Sequence, residues 1–214
     1  MATRLIILDF DGTLADTRPV IVASMQRTLD ALGLPPKSEK ECATVIGLPL
    51  RECFTTLCHI DDMMGERCAE LYRKIFDEIN TPGFVKLFPH VPETLRVFHN
   101  RGLRMAICSS RGRPTLEGFV RSFRLEEMVE MVVSANDVQR HKPHPEPVHT
   151  ILRALHVSPE ETLVVGDASF DILMGRAAGC RTCGVTYGNQ SAADLRAAGA
   201  DFLVDDFANI LKQF

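Results

Sequence analysis

The chain has 214 residues, 45% apolar and 24% charged, with a formal charge of −4; this composition supports a packed core and excludes general disorder. The acidic balance leaves no basic footprint for nucleic acid. The first apolar run, Leu5–Leu8, meets Asp9 at once and is too short for a signal core or a bilayer span, so a cytoplasmic chain without a membrane partner is expected.

Residues 4–10 form an apolar run ending in acids, the pattern of a buried strand that meets a loop. From about residue 17 to 83 the pattern turns helical. Ile21, Met25, Leu29 and Leu32 share one face before Gly33 and the Pro35-Pro36 stop. Ser38 with Glu41 is a capping-box signature for a second helix, and Met64, Cys68, Leu71, Ile75 and Ile79 mark a longer third. No strand stands out there, and roughly 65 residues of helix exceed what a single crossover needs. Residues 16–83 are therefore read as a helical cap inserted into a core of residues 1–15 and 84–214, with hinges near 15–18 and 81–88.

Beyond the insert, apolar runs recur at 105–108, Met131–Val133, 162–165, 182–185 and, more weakly, 201–204. Helical stripes lie between them: Leu116, Phe119, Val120 and Phe123, then Val148, Ile151, Leu152 and Leu155. This alternation predicts an α/β fold, a Rossmann-like parallel sheet covered on both faces, carrying a small all-helical cap.

Seven scattered cysteines, an odd number, fit reduced thiols. Cys180 and Cys183 lack the second ligand pair that zinc needs, and they fall where a strand rather than a helix start is expected. Prolines 143 and 145 keep His141 and His144 off a helical metal face, so both read as solvated loop histidines.

Four polar stations fall at the carboxyl ends of expected strands, where open parallel sheets bind ligands. They are Asp9-Phe10-Asp11-Gly12-Thr13, Ser109-Ser110, Lys142-Pro143, and Gly166-Asp167 with Asp171. Each alone reads as a turn, a helix cap or a solvated lysine; the ordered set suits phosphoryl transfer. Phosphate monoesters hydrolyse so slowly that catalysis has to supply up to about 10²¹-fold, and a covalent aspartyl-phosphate divides the reaction into two easier steps. A carboxylate approaches an anionic phosphate only if positive charge offsets the repulsion. Mg²⁺, which prefers oxygen ligands, is the expected cofactor, with Asp9 and Asp167 as candidates to hold it. Lys142 adds charge, Ser109 can bond phosphoryl oxygens, and Asp11 is placed to exchange a proton with the leaving group and then with water.

These four stations resemble the motifs of the haloacid dehalogenase superfamily, in the subgroup with a helical cap after the first strand, and the likeness spans essentially the whole chain. The resemblance implies Asp9 as nucleophile, Asp11 as acid and base, and Ser109 and Lys142 steadying the phosphoryl group. It places magnesium on Asp9, the Asp11 backbone carbonyl and Asp167, with Asp171 close by. Asp11 argues against dehalogenases and phosphonate-cleaving relatives, which lack that second acid. The segment Ile46-Gly47-Leu48-Pro49-Leu50-Arg51 resembles the cap loop of phosphoglycolate phosphatase and pyrophosphatase relatives. Thr13, Ser110, Arg18, Gly47 and Arg51 are the candidate substrate-binding residues, with Arg111 and Arg113 also near the cleft; guanidinium pairs bidentately with carboxylate or phosphate.

A small phosphorylated metabolite is thus the expected partner, 2-phosphoglycolate first, with pyrophosphate or a sugar phosphate handled by a mutase as alternatives. A signalling receiver is disfavoured by the long insert and by the position of the reactive Asp. The chain is expected as a monomer or weak homodimer.

Overall fold

The computed structural model describes residues 2–213. Strand β1 (Leu5–Leu8) lies near the middle of a six-stranded sheet. The others are β4 (Arg104–Cys108), β5 (Met131–Val133), β6 (Thr162–Gly166), β7 (Arg181–Val185) and β8 (Phe202–Val204), in the order β5-β4-β1-β6-β7-β8. Every neighbouring pair is parallel. The expected α/β class is therefore what the chain adopts, and the strand runs read from the sequence match the sheet to within a residue or two.

All four residues of β1 are fully buried, as a strand covered on both faces requires. Alternate residues enter different cores. Ile6, Leu8, Met105, Ile107, Leu163 and Val165 join a large cluster with Phe98, Phe119 and Phe207. Leu5, Ile7, Ala106, Cys108 and Val164 join a smaller one with Val148, Ile151 and Met174. Helices α5 (Val91–Asn100) and α6 (Arg113–Ser122) cover the first face; α7 (Glu146–Leu155) and α8 (Ser169–Ala177) cover the second. A short α9 (Ala192–Ala197) lies between β7 and β8.

Between β1 and α5 the chain forms four helices: α1 (Arg18–Ala31), α2 (Glu39–Ala43), α3 (Leu50–Cys58) and α4 (Asp62–Ile79). Helices α1 and α3 both pack on α4. A two-stranded antiparallel ribbon, β2 (Ala15–Asp16) with β3 (Lys86–Leu87), brackets them. Two residues are too few to show a period, so the ribbon left no trace in the sequence pattern. The expected capping box is present: Ser38 Oγ accepts the Glu41 N–H at 3.3 Å, and Glu41 accepts the Ser38 N–H at 2.8 Å.

Three helices were expected where four occur. Helix α3 was missed because its buried side is only Cys53, Phe54 and Leu57. The buried stripe of α4 is Cys68, Ala69, Tyr72, Ile75 and Phe76, with Met64, Leu71 and Ile79 only half-buried.

All seven cysteines are free thiols. Cys183 is buried in β7 and Cys180 just before it, and burial pushes both thiols up to about 12; such thiols are inert structural residues. His144 caps α7 locally, its Nδ1 accepting the Glu146 N–H at 3.1 Å. Among the described residues no helix is long and apolar enough to cross a membrane.

Candidate active site

The chain runs from β1 to β4 and β5 on one side, then returns to β6 on the other side of β1. That reversal opens a crevice at the carboxyl ends of β1, β4 and β6. Asp9 follows β1, Ser109 follows β4, Asp167 follows β6, Asp171 sits in the first turn of α8, and Lys142 arrives in the loop before α7. The four stations, far apart in sequence, meet here.

Lys142 stands at the centre. Its Nζ donates to Asp9 Oδ1 at 2.6 Å, to Asp171 Oδ1 at 2.7 Å and to the Cys108 carbonyl at 2.8 Å. Asp9, Asp167 and Asp171 are all buried, and each offers an oxygen within 4.8 Å of the other two. Burial raises the pKa of Asp9 well above the ordinary carboxylate range; Lys142 opposes this, while Asp171, Asp167 and Asp11 reinforce it. Asp167 is likewise raised, to about 7, by burial and then by Asp171, against the pull of Asn189 and Lys142. Burial works against the Lys142 ammonium, but Asp171 and Asp9 outweigh it and raise its pKa.

One buried lysine does not balance three buried carboxylates, because like charges in a dry site repel strongly. A hard divalent cation with oxygen ligands fits this donor set. Asp9 and Asp167 are its principal candidate ligands. Both Asp171 oxygens are already engaged, one by Lys142 and the other by the Ala168 N–H at 3.2 Å.

Asp167 is held firmly. Its Oδ2 accepts the Asn189 backbone N–H at 2.6 Å and the Asn189 side-chain Nδ2 at 2.8 Å. Its Oδ1 accepts from Thr13 Oγ1 at 3.3 Å. Thr13, expected at the substrate, is instead fully buried beneath the site; its role is to bond Asp167. Gly12 has φ of +87°, and a Cβ there would stand 2.2 Å from Asp167 Oδ2. Only glycine permits both that backbone and that approach.

Asp11 lies apart from the lysine cluster. Arg111 grips it with both ends of the guanidinium, Nη2 to Oδ1 at 2.6 Å and Nε to Oδ2 at 3.1 Å. The guanidinium sits 4.9 Å from the Phe76 ring centre and 5.2 Å from that of Phe119. Both partners are about nine-tenths buried. Ser109 Oγ accepts the Arg111 N–H at 3.1 Å and lies 3.5 Å from Asp11 Oδ2. Ser110 Oγ is buried with no hydrogen-bond partner among the described residues.

A cleft of about 640 Å³ opens over these groups, lined by Asp9, Asp11, Ser109, Ser110, Gly47 and Arg51 among others. Arg51 is half-exposed at its edge and pairs with Asp62 at 3.1 Å. Two expectations need correction. Arg18 is not among the cleft-lining residues; it opens α1 and pairs with Glu39 of α2 at 3.2 Å. Arg113 does not line the cleft either and pairs with Glu117 and Asp137. Sequence reasoning missed Asn189 altogether, since a lone Asn in a Gly-Asn pair reads as a turn.

A family model for haloacid dehalogenase-like hydrolases matches residues 6–185. The chain is 31% identical over 212 residues to pyrophosphatase PpaX of Anoxybacillus flavithermus, covering 99% of this chain and 97% of that one. It is 31% identical over 230 residues to a phosphoglycolate phosphatase of Salmonella typhimurium, covering 97% and 91% respectively. The fold matches a Bacteroides fragilis crystal structure described as a haloacid dehalogenase-like hydrolase, with TM-score 0.92 and 29% identity over 97% of this chain and 99% of that one.

Proposed function

The chain belongs to the haloacid dehalogenase-like hydrolases and is a phosphatase of that family, and from that premise we propose that it hydrolyses a small phosphorylated metabolite with magnesium, by way of a phosphoryl group carried on Asp9. The observation that carries this reading is the buried cluster of Asp9, Asp167 and Asp171 around Lys142, at the switch point of the sheet.

Asp9 and Asp167 would hold magnesium, with the Asp11 backbone carbonyl and Asp171 beside them. When bound, the ion supplies the positive charge that lets an anionic phosphate approach a carboxylate. An Asp9 oxygen attacks phosphorus, and the bond from phosphorus to the leaving oxygen breaks as Asp11 gives that oxygen a proton. Water then attacks the same phosphorus and loses its proton to Asp11, and Asp9 leaves as free carboxylate. Lys142 keeps Asp9 placed and offsets charge throughout. Ser109 and the unpartnered hydroxyl of Ser110 donate to phosphoryl oxygens.

The helices between β2 and β3 form a cap over this chemistry. Arg111 lines the cleft beside Asp11, and a second anionic group on the substrate would compete with Asp11 for it. That favours a substrate bearing two anions. 2-Phosphoglycolate is the leading candidate, supported by the Salmonella relative. Pyrophosphate is the second, supported by the Anoxybacillus relative.

Phosphate release from 2-phosphoglycolate, pyrophosphate and sugar phosphates, with magnesium or with chelator, tests the reading. Release is expected to need magnesium and to disappear in Asp9→Asn. Turnover that survives either change would overturn it, and exchange between sugar phosphates without net release would point to a mutase.

A further inference from the structure

The loop between β7 and α9 reaches back over the acidic cluster, although nothing in its sequence, Tyr187-Gly188-Asn189-Gln190, suggests a site. The Tyr187 hydroxyl donates to the Thr13 carbonyl at 2.8 Å, and its ring lies 4.6 Å from that of Phe88. The loop is thus pinned to the segment that carries Asp11 and Gly12. Gly188 allows the approach, since a Cβ there would stand 2.3 Å from the Asp167 Cβ and 2.5 Å from the Gly12 carbonyl oxygen. Gln190 fastens the other end, its Oε1 accepting the Ser169 N–H at 2.8 Å.

Between these anchors Asn189 spends two donors on a single oxygen, Asp167 Oδ2. Oδ1 of the same carboxylate receives one long bond from Thr13. The carboxylate is therefore held from one side. We propose that Asn189 is a positioning residue for the metal: by fixing Oδ2 it presents Oδ1 of Asp167 to the cation. A buried carboxylate without such donors would be free to rotate, or to turn toward Lys142.

The side-chain Oδ1 of Asn189 is itself buried without a partner among the described residues. A buried polar atom left unpaired is costly. The protons of water that magnesium retains in its shell would satisfy it. The inference rests on the reading that Asp9 and Asp167 hold magnesium.

Calorimetric titration of magnesium into the full chain tests it, with melting temperatures in chelator recorded for each variant. Asn189→Ala keeps the backbone donor and loses the amide, so magnesium affinity is expected to fall about tenfold, the low end for a residue that orients a ligand. Gln190→Ala loosens one anchor of the loop but removes no bond to the acids, and its affinity is expected to fall by clearly less than that of Asn189→Ala. If Asn189→Ala does not fold, Asn189→Ser is read in the same way. Wild-type affinity in the Asn189 variant, or an equal loss in Gln190→Ala, overturns the proposal and leaves the magnesium site standing. Absence of magnesium binding by the wild-type protein overturns both.

Discussion

At the scale of single residues, two carboxylates two positions apart face opposite surroundings. Asp9 meets Lys142 and further acids; Asp11 meets a guanidinium stacked near two aromatic rings. Arg111 thus serves Asp11 in this structure and, on the proposed function, the substrate's second anion in turn. Losing a charged hydrogen bond of this kind costs about 1.5–3 kcal/mol. Arg111→Ala should therefore raise KM for 2-phosphoglycolate or pyrophosphate by about 10- to 100-fold, and much less for a monoester with no second anion. Steady-state kinetics on both substrate types decide; equal losses would remove Arg111 from specificity.

Asp167 carries a pH signature. Its carboxyl is raised by burial from the ordinary 3.8 to about 7. Between those values the folded chain keeps a proton that the unfolded chain has released, so in chelator the stability contribution of Asp167 is full below 3.8 and is lost as pH rises through about 7. Asp167→Asn should flatten that fall. Melting temperatures of both proteins in chelator, from about pH 4 to 8, are the check, and curves that stay parallel would contradict it.

At the scale of elements, α4 shows how packing selects among the apolar residues a helix offers. The aliphatic stripe in the sequence points toward Leu71 and Ile79, yet Tyr72 and Phe76 take the buried face. Phe76 meets Phe119 edge-on at 6.5 Å, and Phe119 stacks on Phe10 at 5.4 Å. One aromatic chain therefore runs from the end of β1 through α6 into the helical insert. Removing its middle member, Phe119→Ala, should destabilise the fold by about 3–5 kcal/mol, the range for a buried Phe truncation. Urea unfolding measures this, and a loss below about 1 kcal/mol would show that the ring is dispensable. The ribbon of β2 and β3 is the contrasting case, an element made by pairing distant residues that have no local signal of their own.

At the scale of the molecule, the large apolar cluster continues from the sheet into α1, α3 and α4. The insert therefore shares a core with the sheet domain. All seven cysteines are free, and most are buried. The melting temperature should accordingly be the same with and without reductant; a drop on reduction would reveal a cross-link.

The amino-acid pattern by itself determined the parallel α/β core, the run of helices after β1, and the polar stations at the strand ends that the fold brings to one crevice. Those features rest on short-range order: runs of apolar residues, their period, and polar stations at strand ends. Tertiary structure decided which partner each group received. Thr13 turned under Asp167, Arg18 went to Glu39, Arg111 went to Asp11, and Asn189 came to Asp167 across 22 residues of chain. Spacing encodes local bonds such as the Ser38–Glu41 cap, but bonds between distant segments need donor and acceptor at about 3 Å, a match that only folding sets.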